Sequence, residues 1–243
     1  MLSTPRFTKP SASQFKDAVQ CSVCAVRDLC LPGDLSDLDF SRLGAMIHTS
    51  RKVAKGEALY RAGDEFLNIY AIKTGAFKTV LTMADGREQV TGFQIAGEAL
   101  GLEGLHTGRH TFDAIALEPS VLCVLPFSQL EQLCNESAPM RRHVYRLMSG
   151  EIVRESRLAI MLGSMRAEER VSAFLLTLAR RLRARRYPDT EFKLRMSRKE
   201  LGSYLGIKLE TVSRVLSKFQ REKLIQVRGK MIRILDAAGL QRV

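Results

Sequence analysis

The chain has 243 residues, and 38 Lys and Arg against 26 Asp and Glu give it a net charge of +12. Residues 1–170 carry 20 basic and 20 acidic side chains, whereas residues 171–243 carry 18 and 6, so the whole excess lies in the last part of the chain. Such asymmetry indicates a polyanionic partner for that part. The length predicts two domains, and an apolar content of 45% excludes a disordered chain.

Several classes of protein are excluded by the pattern of residues. No apolar run approaches the ~20 residues of a membrane span, and residues 1–13 lack the apolar core of a signal peptide. We therefore expect a cytoplasmic protein with no membrane partner. Thiols stay reduced in that compartment, so the five cysteines indicate metal binding rather than disulfides. The sequence shows no nucleophile–base pair and no phosphate-binding glycine loop, so we expect no catalytic residues and no enzyme.

Short strands punctuated by glycine dominate residues 51–126. The clearest hairpin is predicted from Phe77–Met83 and Arg87–Phe93, because the Asp-Gly pair between them suits a tight turn. A second hairpin is predicted from Thr111–Leu117 and Val121–Leu125, around Glu118-Pro119-Ser120. Many short strands at regular spacing are typical of a sandwich or jelly-roll.

From about residue 139 the apolar positions follow a helical period. A seam spaced by 4, 3, 4 and 3 positions is formed by Met148, Ile152, Glu155, Ala159 and Leu162. This spacing predicts a helix that pairs with a second helix. Two alternatives remain for Glu155: it faces solvent in an ordinary ion pair, or it lies in the seam, where its charge must be shielded by a cation such as Arg154 or Arg157.

The basic C-terminal part has the pattern of a winged helix-turn-helix. A helix begins with the capping-box pair Ser197 and Glu200 and ends at Gly206. A second helix is predicted over residues 209–220, and a basic β-hairpin over residues 224–235. Two short helices joined by a glycine-containing turn form the helix-turn-helix unit, and the hairpin forms the wing.

In this unit the first residues of the second helix reach base edges in the major groove of double-stranded DNA. The expected base-reading residues are Glu210, Ser213 and Arg214, of which arginine pairs with guanine and glutamate with the amino group of cytosine. An alternative is that Glu210 and Arg214 form only a surface ion pair. Phosphate contacts are expected from Lys208, Lys218, Arg221, Arg228 and Lys230.

Four cysteines indicate a metal centre. Cys21, Cys24 and Cys30 form a C-x2-C-x5-C pattern, and Cys123 lies in a predicted strand. Four thiolates hold either an iron–sulfur cluster or structural zinc, and the spacing does not distinguish the two. The alternative is that Cys123 is a small buried apolar residue and the other three are incidental. Cys134 lies outside the pattern and is expected to be a structural thiol.

The run from Leu201 to Gly206, followed by Glu210-Thr211-Val212-Ser213-Arg214, resembles the recognition segment of the Crp/Fnr superfamily of transcription regulators, and its Glu-x-x-Ser-Arg form is that of the Fnr branch. The resemblance implies a homodimer on an inverted repeat of TTGAT. One departure is Lys208, where relatives often have a hydroxyl residue. The cysteines, with Leu29 and Pro32, resemble those of Fnr-type oxygen sensors, which implies a [4Fe-4S] cluster on Cys21, Cys24, Cys30 and Cys123.

The resemblance also implies an α+β fold with a jelly-roll (β-roll) sensor of the cyclic-nucleotide-binding type. The implied boundaries are a flexible tail at 1–15, the sensor with its cysteine loop at 16–138, a dimerisation helix at 139–166 and a winged helix-turn-helix domain at 167–243. Cyclic-nucleotide binders follow the Gly97–Gly101 turn with an Arg-Ser or Arg-Thr pair and a small residue. This chain has His110-Thr111-Phe112 there, so no cyclic nucleotide is expected.

These features lead to one hypothesis of function. Cluster binding orders the cysteine loop against the seam helix and promotes the dimer that binds DNA, and oxygen reverses both effects by destroying the cluster. RNA polymerase is an expected partner, and the turn at Asp85-Gly86 is one candidate contact surface, although a solvated hairpin tip is the simpler interpretation. The alternatives are a regulator with structural zinc and one with a small-molecule ligand in the β-roll, neither of which senses oxygen.

Overall fold

The computed structural model describes Cys21, residues 24–47 and residues 50–243. The predicted flexible tail at 1–15 lies outside the described residues. Among the helices described, none combines the length and the apolar character that a membrane crossing requires.

The elements follow one another in three groups. The first group consists of α1 (Arg27–Cys30), α2 (Asp37–Met46), β1 (Ser50–Val53), β2 (Ala58–Tyr60), β3 (Asn68–Thr74), β4 (Ala76–Thr82), β5 (Glu88–Ile95), β6 (Ala99–Leu100), a 3-10 turn (Leu102–His106), β7 (Asp113–Ala116) and β8 (Ser120–Pro126). The second consists of α3 (Phe127–Glu136) and α4 (Ala138–Ser164). The third consists of α5 (Ala167–Arg183), β9 (Glu191–Lys193), α6 (Arg198–Leu205), α7 (Leu209–Arg221), β10 (Ile225–Arg228), β11 (Met231–Ile234) and α8 (Ala237–Gln241).

The N-terminal strands form two antiparallel four-stranded sheets, with the orders β1-β8-β3-β6 and β2-β7-β4-β5. Their facing sides enclose a core that includes Ile72, Phe77 and Leu122, each of which is fully buried. The predicted hairpin of β4 and β5 is confirmed, with Phe77 opposite Gln94 and Thr82 opposite Glu88. This part of the chain is therefore the predicted β-roll.

The second predicted hairpin is wrong. Strand β7 pairs with β2 and β4, whereas β8 pairs with β1 and β3, so the two strands belong to opposite sheets. The segment Glu118-Pro119-Ser120 carries the chain from one sheet to the other instead of turning it back on itself. The reason is closure of the roll, since each of these strands has a closer partner from a distant part of the chain.

The helix-turn-helix unit is formed as its sequence predicts. The Ser197 side chain caps α6 by accepting from the Glu200 N–H, and the Glu200 carboxylate accepts from the Ser197 backbone N–H. Gly206 ends the helix with φ of +63°, which a residue with a side chain adopts less readily. The predicted wing is β10 and β11, and β9 extends it to three strands, which the sequence did not predict.

The DNA-binding half packs directly on the β-roll. Val80, Val90 and Phe93 of the roll belong to the same apolar cluster as Phe174 and Leu201 of α5 and α6. Polar contacts border this interface, among them an ion pair of 2.8 Å between Lys78 Nζ and Glu200 Oε1, and an exposed pair between Arg195 and Glu118. The relative position of the two halves is thus fixed by a shared core.

A buried carboxylate lies at the end of this interface. Glu98, in the turn between β5 and β6, accepts hydrogen bonds from Arg181 Nη2 at 2.6 Å and from Arg185 Nη2 at 2.8 Å. The Glu98 side chain is only 11% exposed. Burial opposes its ionisation, but the two guanidinium groups more than offset that effect, so the pKa of Glu98 lies below its ordinary value.

Gly75 tests the packing of the roll. Its φ is +99°, and a Cβ added there would meet Ser120 Oγ at 2.0 Å and Ser120 Cα at 2.8 Å. We expect Gly75→Ala to lower the free energy of unfolding by about 2–4 kcal/mol, because overpacking adds to backbone strain. Gly56 is the matched control, since its φ is +81° and an added Cβ meets nothing. Gly56→Ala should cost only about 1 kcal/mol in urea unfolding, and equal losses would contradict this packing.

Glu98 gives a pH-dependent prediction. Glu98→Gln should lower the free energy of unfolding by about 3 kcal/mol at pH 7, because two buried guanidinium groups lose their counter-charge. A lowered folded pKa means that the contribution is complete above the unfolded pKa, near 4.5, and disappears as the pH falls through the folded pKa.

The difference between wild type and Glu98→Gln in urea unfolding should therefore be constant from pH 6 to 8 and shrink below about pH 4.5. Glu118→Gln is the control, because its pair with Arg195 is partly exposed and should contribute less than about 1 kcal/mol. A loss at Glu118 as large as that at Glu98 would disprove the special role of the buried site.

Candidate DNA interface and cysteine centre

Helix α7 presents one apolar and one polar face. Val212, Val215, Leu216 and Phe219 are buried against the rest of the C-terminal half. Lys208 occupies the N-cap position, and its side chain makes no capping hydrogen bond. The polar face at the start of α7 is therefore held in place by packing from behind, as base reading in a groove requires.

The three expected base-reading residues lie together at the start of this polar face. Glu210 and Arg214 are exposed, and Ser213 is partly exposed. In the described part of the chain Glu210 and Arg214 form no ion pair with each other; Arg214 Nη2 instead donates to Thr211 Oγ1 at 3.4 Å. The arrangement leaves both charged ends available to a ligand, so the surface-pair alternative has no support from the geometry.

A residue missed by the sequence analysis adjoins this set. Arg198, the first residue of α6, donates from Nη1 to Ser213 Oγ at 3.1 Å. It therefore places a further guanidinium beside the start of α7, within the same basic surface. The sequence could have indicated Arg198 by its position directly after the capping Ser197, since the N-terminus of α6 faces the N-terminal half of α7.

The expected phosphate-binding residues differ in whether their side chains already have a partner within the chain. Lys208, Arg221 and Arg228 are exposed. Lys218 Nζ lies 2.6 Å from Glu168 Oε2 of α5, and this hydrogen bond raises the pKa of Lys218. Lys230 Nζ donates to the Arg195 carbonyl oxygen at 3.4 Å. Lys218 must exchange an internal partner for a phosphate, which makes it the weakest of the five candidates.

Three of the four cysteines of the sequence pattern pack in one apolar cluster beside the β-roll. Cys123 of β8 is 7% exposed and lies opposite Ser50 of β1 and Ala71 of β3. Cys21 and Cys30 pack against the same apolar cluster as Cys123. The Cys24 N–H donates to the Cys21 carbonyl oxygen at 3.3 Å.

Burial and the neighbouring thiols both disfavour ionisation of these cysteines. Burial, with smaller effects from Cys24, Cys123 and Cys21, raises the pKa of Cys30 to about 12. Burial, with smaller effects from Cys21 and Cys24, raises the pKa of Cys123 to about 11. Four thiolates could share this space only with a cation between them. In the residues described, however, no three His, Cys, Asp or Glu side chains converge closely enough to hold a single metal ion.

Cys134 stands apart from this group. It lies on α3 and its pKa is raised by burial, with charge effects from Arg141 and Glu131 rather than from other thiols. The structural role of Cys134 stays a prediction, and Cys21, Cys24, Cys30 and Cys123 stay the expected donor set.

The cysteine loop is tied to the long helix α4 through His143. His143 is buried, and its Nε2–H donates to the Cys30 carbonyl oxygen at 2.9 Å. Burial lowers the pKa of His143, so the imidazole is neutral near pH 7. The contact joins residues 113 positions apart, and no local pattern in the sequence could have revealed it.

The predicted seam of α4 faces solvent in the single chain. Met148, Ile152, Glu155 and Ala159 are exposed, whereas Leu162 is partly buried. The Leu162 side chain lies against the turn at Gly206, and its carbonyl oxygen accepts from Arg170 Nη2 at 2.7 Å. Four of the five seam positions therefore offer an unpaired, mostly apolar helix face, and Leu162 joins the helix to the DNA-binding half.

Arg154, one of the two arginines expected to shield Glu155, has a different ion-pair partner. Arg154 Nη2 pairs with Glu151 Oε2 at 2.6 Å rather than with Glu155. Partial burial raises the pKa of Glu155, and Arg154 acts in the opposite sense. In the described part of the chain Glu155 has no ion-pair partner, and its place in a dimer seam stays a prediction.

His110 and Thr111, which stand in the sequence where cyclic-nucleotide binders have their Arg-Ser or Arg-Thr pair, lie in different surroundings. His110 is buried, its Nδ1 lies 3.0 Å from Glu103 Oε1, and its ring stacks on Tyr60 with 3.6 Å between centroids. Thr111, the hydroxyl residue of the pair, is exposed. The two groups that would bind the phosphate together are thus separated, one in the core and one at the surface.

Comparisons with known proteins agree with these two parts of the molecule. Residues 50–137 match the model of the cyclic nucleotide-binding domain, and residues 169–243 match that of the Crp-like helix-turn-helix domain. The structure is similar to that of FixK2 from Bradyrhizobium japonicum, with a TM-score of 0.73 and 30% identity over 80% of this chain and 96% of that one. The expected β-roll, long helix and helix-turn-helix are confirmed.

Two curated relatives match almost the full length. The chain is 39% identical to the transcriptional activator protein Anr of Pseudomonas protegens, over 96% of both chains. It is 38% identical to the fumarate and nitrate reduction regulatory protein of Escherichia coli strain K12, over 93% of this chain and 90% of that one. The chain belongs to the Crp/Fnr family of DNA-binding transcription regulators and, as the sequence predicted, is not an enzyme.

Proposed function

We propose that the protein is an oxygen-responsive transcription activator that carries a [4Fe-4S] cluster and binds an inverted repeat of TTGAT as a homodimer. The observation that carries this proposal is the packing of Cys30, which is half-buried in one apolar cluster with Cys21 and Cys123 and accepts a hydrogen bond at its carbonyl oxygen from His143 of the long helix. The full-length relatives named as an activator and as regulators of fumarate and nitrate reduction support the same class of function.

The four thiols suit an iron–sulfur cluster and structural zinc alike, since both take cysteine thiolates. The similarity to the relatives named Anr and fumarate and nitrate reduction regulatory protein is what favours the cluster. When bound, an iron–sulfur cluster would supply the sensitivity to oxygen. Zinc remains the second candidate because its thiolate ligands are the same.

The cysteine loop and the segment that follows it contact the long helix at several points. Besides the His143 contact, Ser137 Oγ at the start of α4 donates to Asp39 Oδ2 at 2.8 Å, and Arg142 Nη2 pairs with Asp34 Oδ2 at 3.2 Å. A bound metal group fixes the loop, and the loop in turn fixes the first turns of α4. We propose that this orders the exposed seam for a second copy of the chain, so that dimerisation follows the state of the centre.

A two-fold dimer would bring two copies of α7 to an inverted repeat. In each copy Glu210, Ser213 and Arg214 would read bases, and Arg198 extends the same surface. Affinity without sequence preference would come from phosphate contacts of Lys208, Arg221, Arg228 and Lys230, and of Lys218 once it has left Glu168. RNA polymerase is the further proposed partner, and the hairpin tip at Asp85 is one candidate contact.

The proposed domain boundaries separate sensing, dimerisation and DNA binding. The cysteine loop and β-roll at 16–138 would sense, the helix at 139–166 would dimerise, and residues 167–243 would bind DNA. A cyclic nucleotide is not proposed as ligand, because His110 is engaged with Glu103 and Tyr60 where the phosphate would lie.

The first prediction concerns the cysteine centre. Protein purified without oxygen should be brown, with visible absorbance that bleaches in air. Ala replacement of Cys21, Cys24, Cys30 or Cys123 should each abolish that absorbance and lower the iron content, because each removes a ligand. Cys134→Ala is the control and should keep the colour. A colourless protein that contains zinc would replace the iron–sulfur proposal with the second candidate.

The second prediction concerns base reading. Arg214→Ala should weaken binding to the inverted TTGAT repeat by about 1–3 kcal/mol while leaving binding to unrelated duplex nearly unchanged, since a guanine contact carries sequence information. Arg228→Ala should weaken binding to both duplexes alike, because a phosphate contact carries no sequence information. It should also reduce the dependence of the affinity on salt. Fluorescence anisotropy on the two duplexes at several salt concentrations measures both effects. Equal behaviour of the two variants would contradict the assignment of roles.

The third prediction concerns the seam. Two Glu155 carboxylates near the dimer axis would repel each other, so Glu155→Ala should give dimers that persist in air. Sedimentation before and after exposure to oxygen measures the change. Glu151→Ala is the matched control on the same helix, because Glu151 is paired with Arg154, and it should not give persistent dimers. Unchanged dimerisation of Glu155→Ala in both conditions would place this carboxylate outside the seam.

A further inference from the structure

A cavity lies between the long helix and the DNA-binding half. It has a volume of about 760 Å³ and is lined mainly by residues of α4 and α5. Phe93 of β5 and Tyr204 of α6 also line it, so the β-roll, the long helix and the DNA-binding half all contribute to its walls. This volume lies within the range of small-molecule sites, which is roughly 300–1,000 Å³.

One wall of the cavity is aromatic. The rings of Phe93, Phe174 and Tyr204 come from β5, α5 and α6, and their centroids lie 5.2 to 6.1 Å from one another. The apolar side chains of Leu158 and Met161 of α4 line the cavity as well. Aromatic rings pack favourably against one another in offset or edge-to-face arrangements. The wall is therefore suited to the aromatic part of a ligand.

The charged part of the lining is cationic. Its five arginines are Arg154, Arg157, Arg180, Arg181 and Arg185. Glu98 is the single carboxylate among the lining residues that the structure describes, and the last two arginines share it. Five cations therefore surround the cavity with one anion, and a negatively charged ligand would complement this lining.

The other three arginines have incomplete or no partners in the described part of the chain. Arg154 Nη2 lies 2.6 Å from Glu151 Oε2, whereas its Nη1 atom is buried and makes no hydrogen bond there. Arg157 and Arg180 are exposed, and neither forms an ion pair with a described carboxylate. A guanidinium group binds carboxylate and phosphate oxygens through two parallel hydrogen bonds, so either anion suits these side chains.

The cavity lies on the side of α4 away from the exposed seam. Gly150, Arg157 and Met161 line the cavity, and each of them is two positions from a seam residue. Two positions are just over half a turn of an α-helix, so the seam and the cavity lie on opposite sides of α4. A dimer formed through the seam therefore leaves the cavity accessible to a small molecule.

We propose that this cavity binds a small molecule with an aromatic body and one anionic group, either a carboxylate or a phosphate. The aromatic body packs against the three rings, and the anion binds the guanidinium groups of α4 and α5. Because the lining comes from β5, α4, α5 and α6, the bound molecule stabilises the position of the DNA-binding half against the sensor and the long helix. The site goes beyond the proposed function, since none of the four expected cysteine ligands lines it.

Isothermal titration calorimetry on the full-length protein, kept without oxygen, tests the site with four probes. Two of them, 2-naphthoate and 2-naphthyl phosphate, combine an aromatic body with each kind of anion. The third, 2-naphthol, has the body without the charge, and acetate has the charge without the body. We expect one molecule of at least one naphthyl anion per chain, bound about tenfold or more tightly than 2-naphthol or acetate. The preferred anion identifies the charged group that the site selects.

Substitutions on α4 locate the bound anion. Arg154→Gln should weaken binding of the preferred probe about tenfold, because it removes a charged hydrogen-bond donor. Arg146→Gln is the matched control, since Arg146 is exposed on the same helix and does not line the cavity. Gly150→Phe should abolish binding, because a Cβ added at this lining position meets nothing within 4 Å and the ring occupies the cavity. Gly150→Ala, which adds only a methyl group, should bind as wild type does.

The outcomes decide the proposal and separate it from the cysteine centre. Absence of binding by both naphthyl anions overturns it, and so does 2-naphthol that binds as tightly as they do. Unchanged affinity in Gly150→Phe places the anion elsewhere and also overturns it; this variant decides alone if Arg154→Gln does not fold. Visible absorbance and iron content are measured on the same samples. A colourless protein that binds the anion defeats the proposed function and leaves this site standing.

Discussion

A carboxylate buried between the two halves of the molecule fixes how a sensor and a DNA-binding unit are joined. Glu98 comes from a turn of the β-roll, and its two partners, Arg181 and Arg185, come from the first helix of the DNA-binding half. Because a buried carboxylate without its cations is strongly disfavoured, the two halves have a preferred position. The apolar core that they share around Phe93 and Leu201 acts together with this ionic contact.

The cysteine loop contacts both the long helix and the start of the DNA-binding half. His143 connects the Cys30 backbone to α4, whose exposed seam is suited to a second copy. Asp28 of the loop lies 3.8 Å from Arg186, which comes just after α5. Under the proposed function, a change at the thiols would act on assembly through α4. A two-state element biased by a bound group is the physical requirement for such control.

Features set by neighbouring residues were predictable from the sequence. The Asp85-Gly86 hairpin, the Ser197–Glu200 capping box and the turn at Gly206 are all formed as expected. The pairing of β7 and β8 was predicted wrongly because strand partners in a closed roll are chosen across the whole sheet. Glu98 and Arg185 meet across 87 positions. The sequence around neither residue indicates the other as its partner, so this contact could not be predicted from the sequence.

Control of specific DNA binding by the cysteine centre is the proposal on which the other proposed roles depend. Its most direct test is the affinity of the protein for a duplex with the inverted TTGAT repeat, measured by fluorescence anisotropy without oxygen and again after exposure to air. We expect a loss of about tenfold or more in air, with weak binding to a scrambled duplex in both states. Equal affinity for the repeat before and after exposure would contradict it.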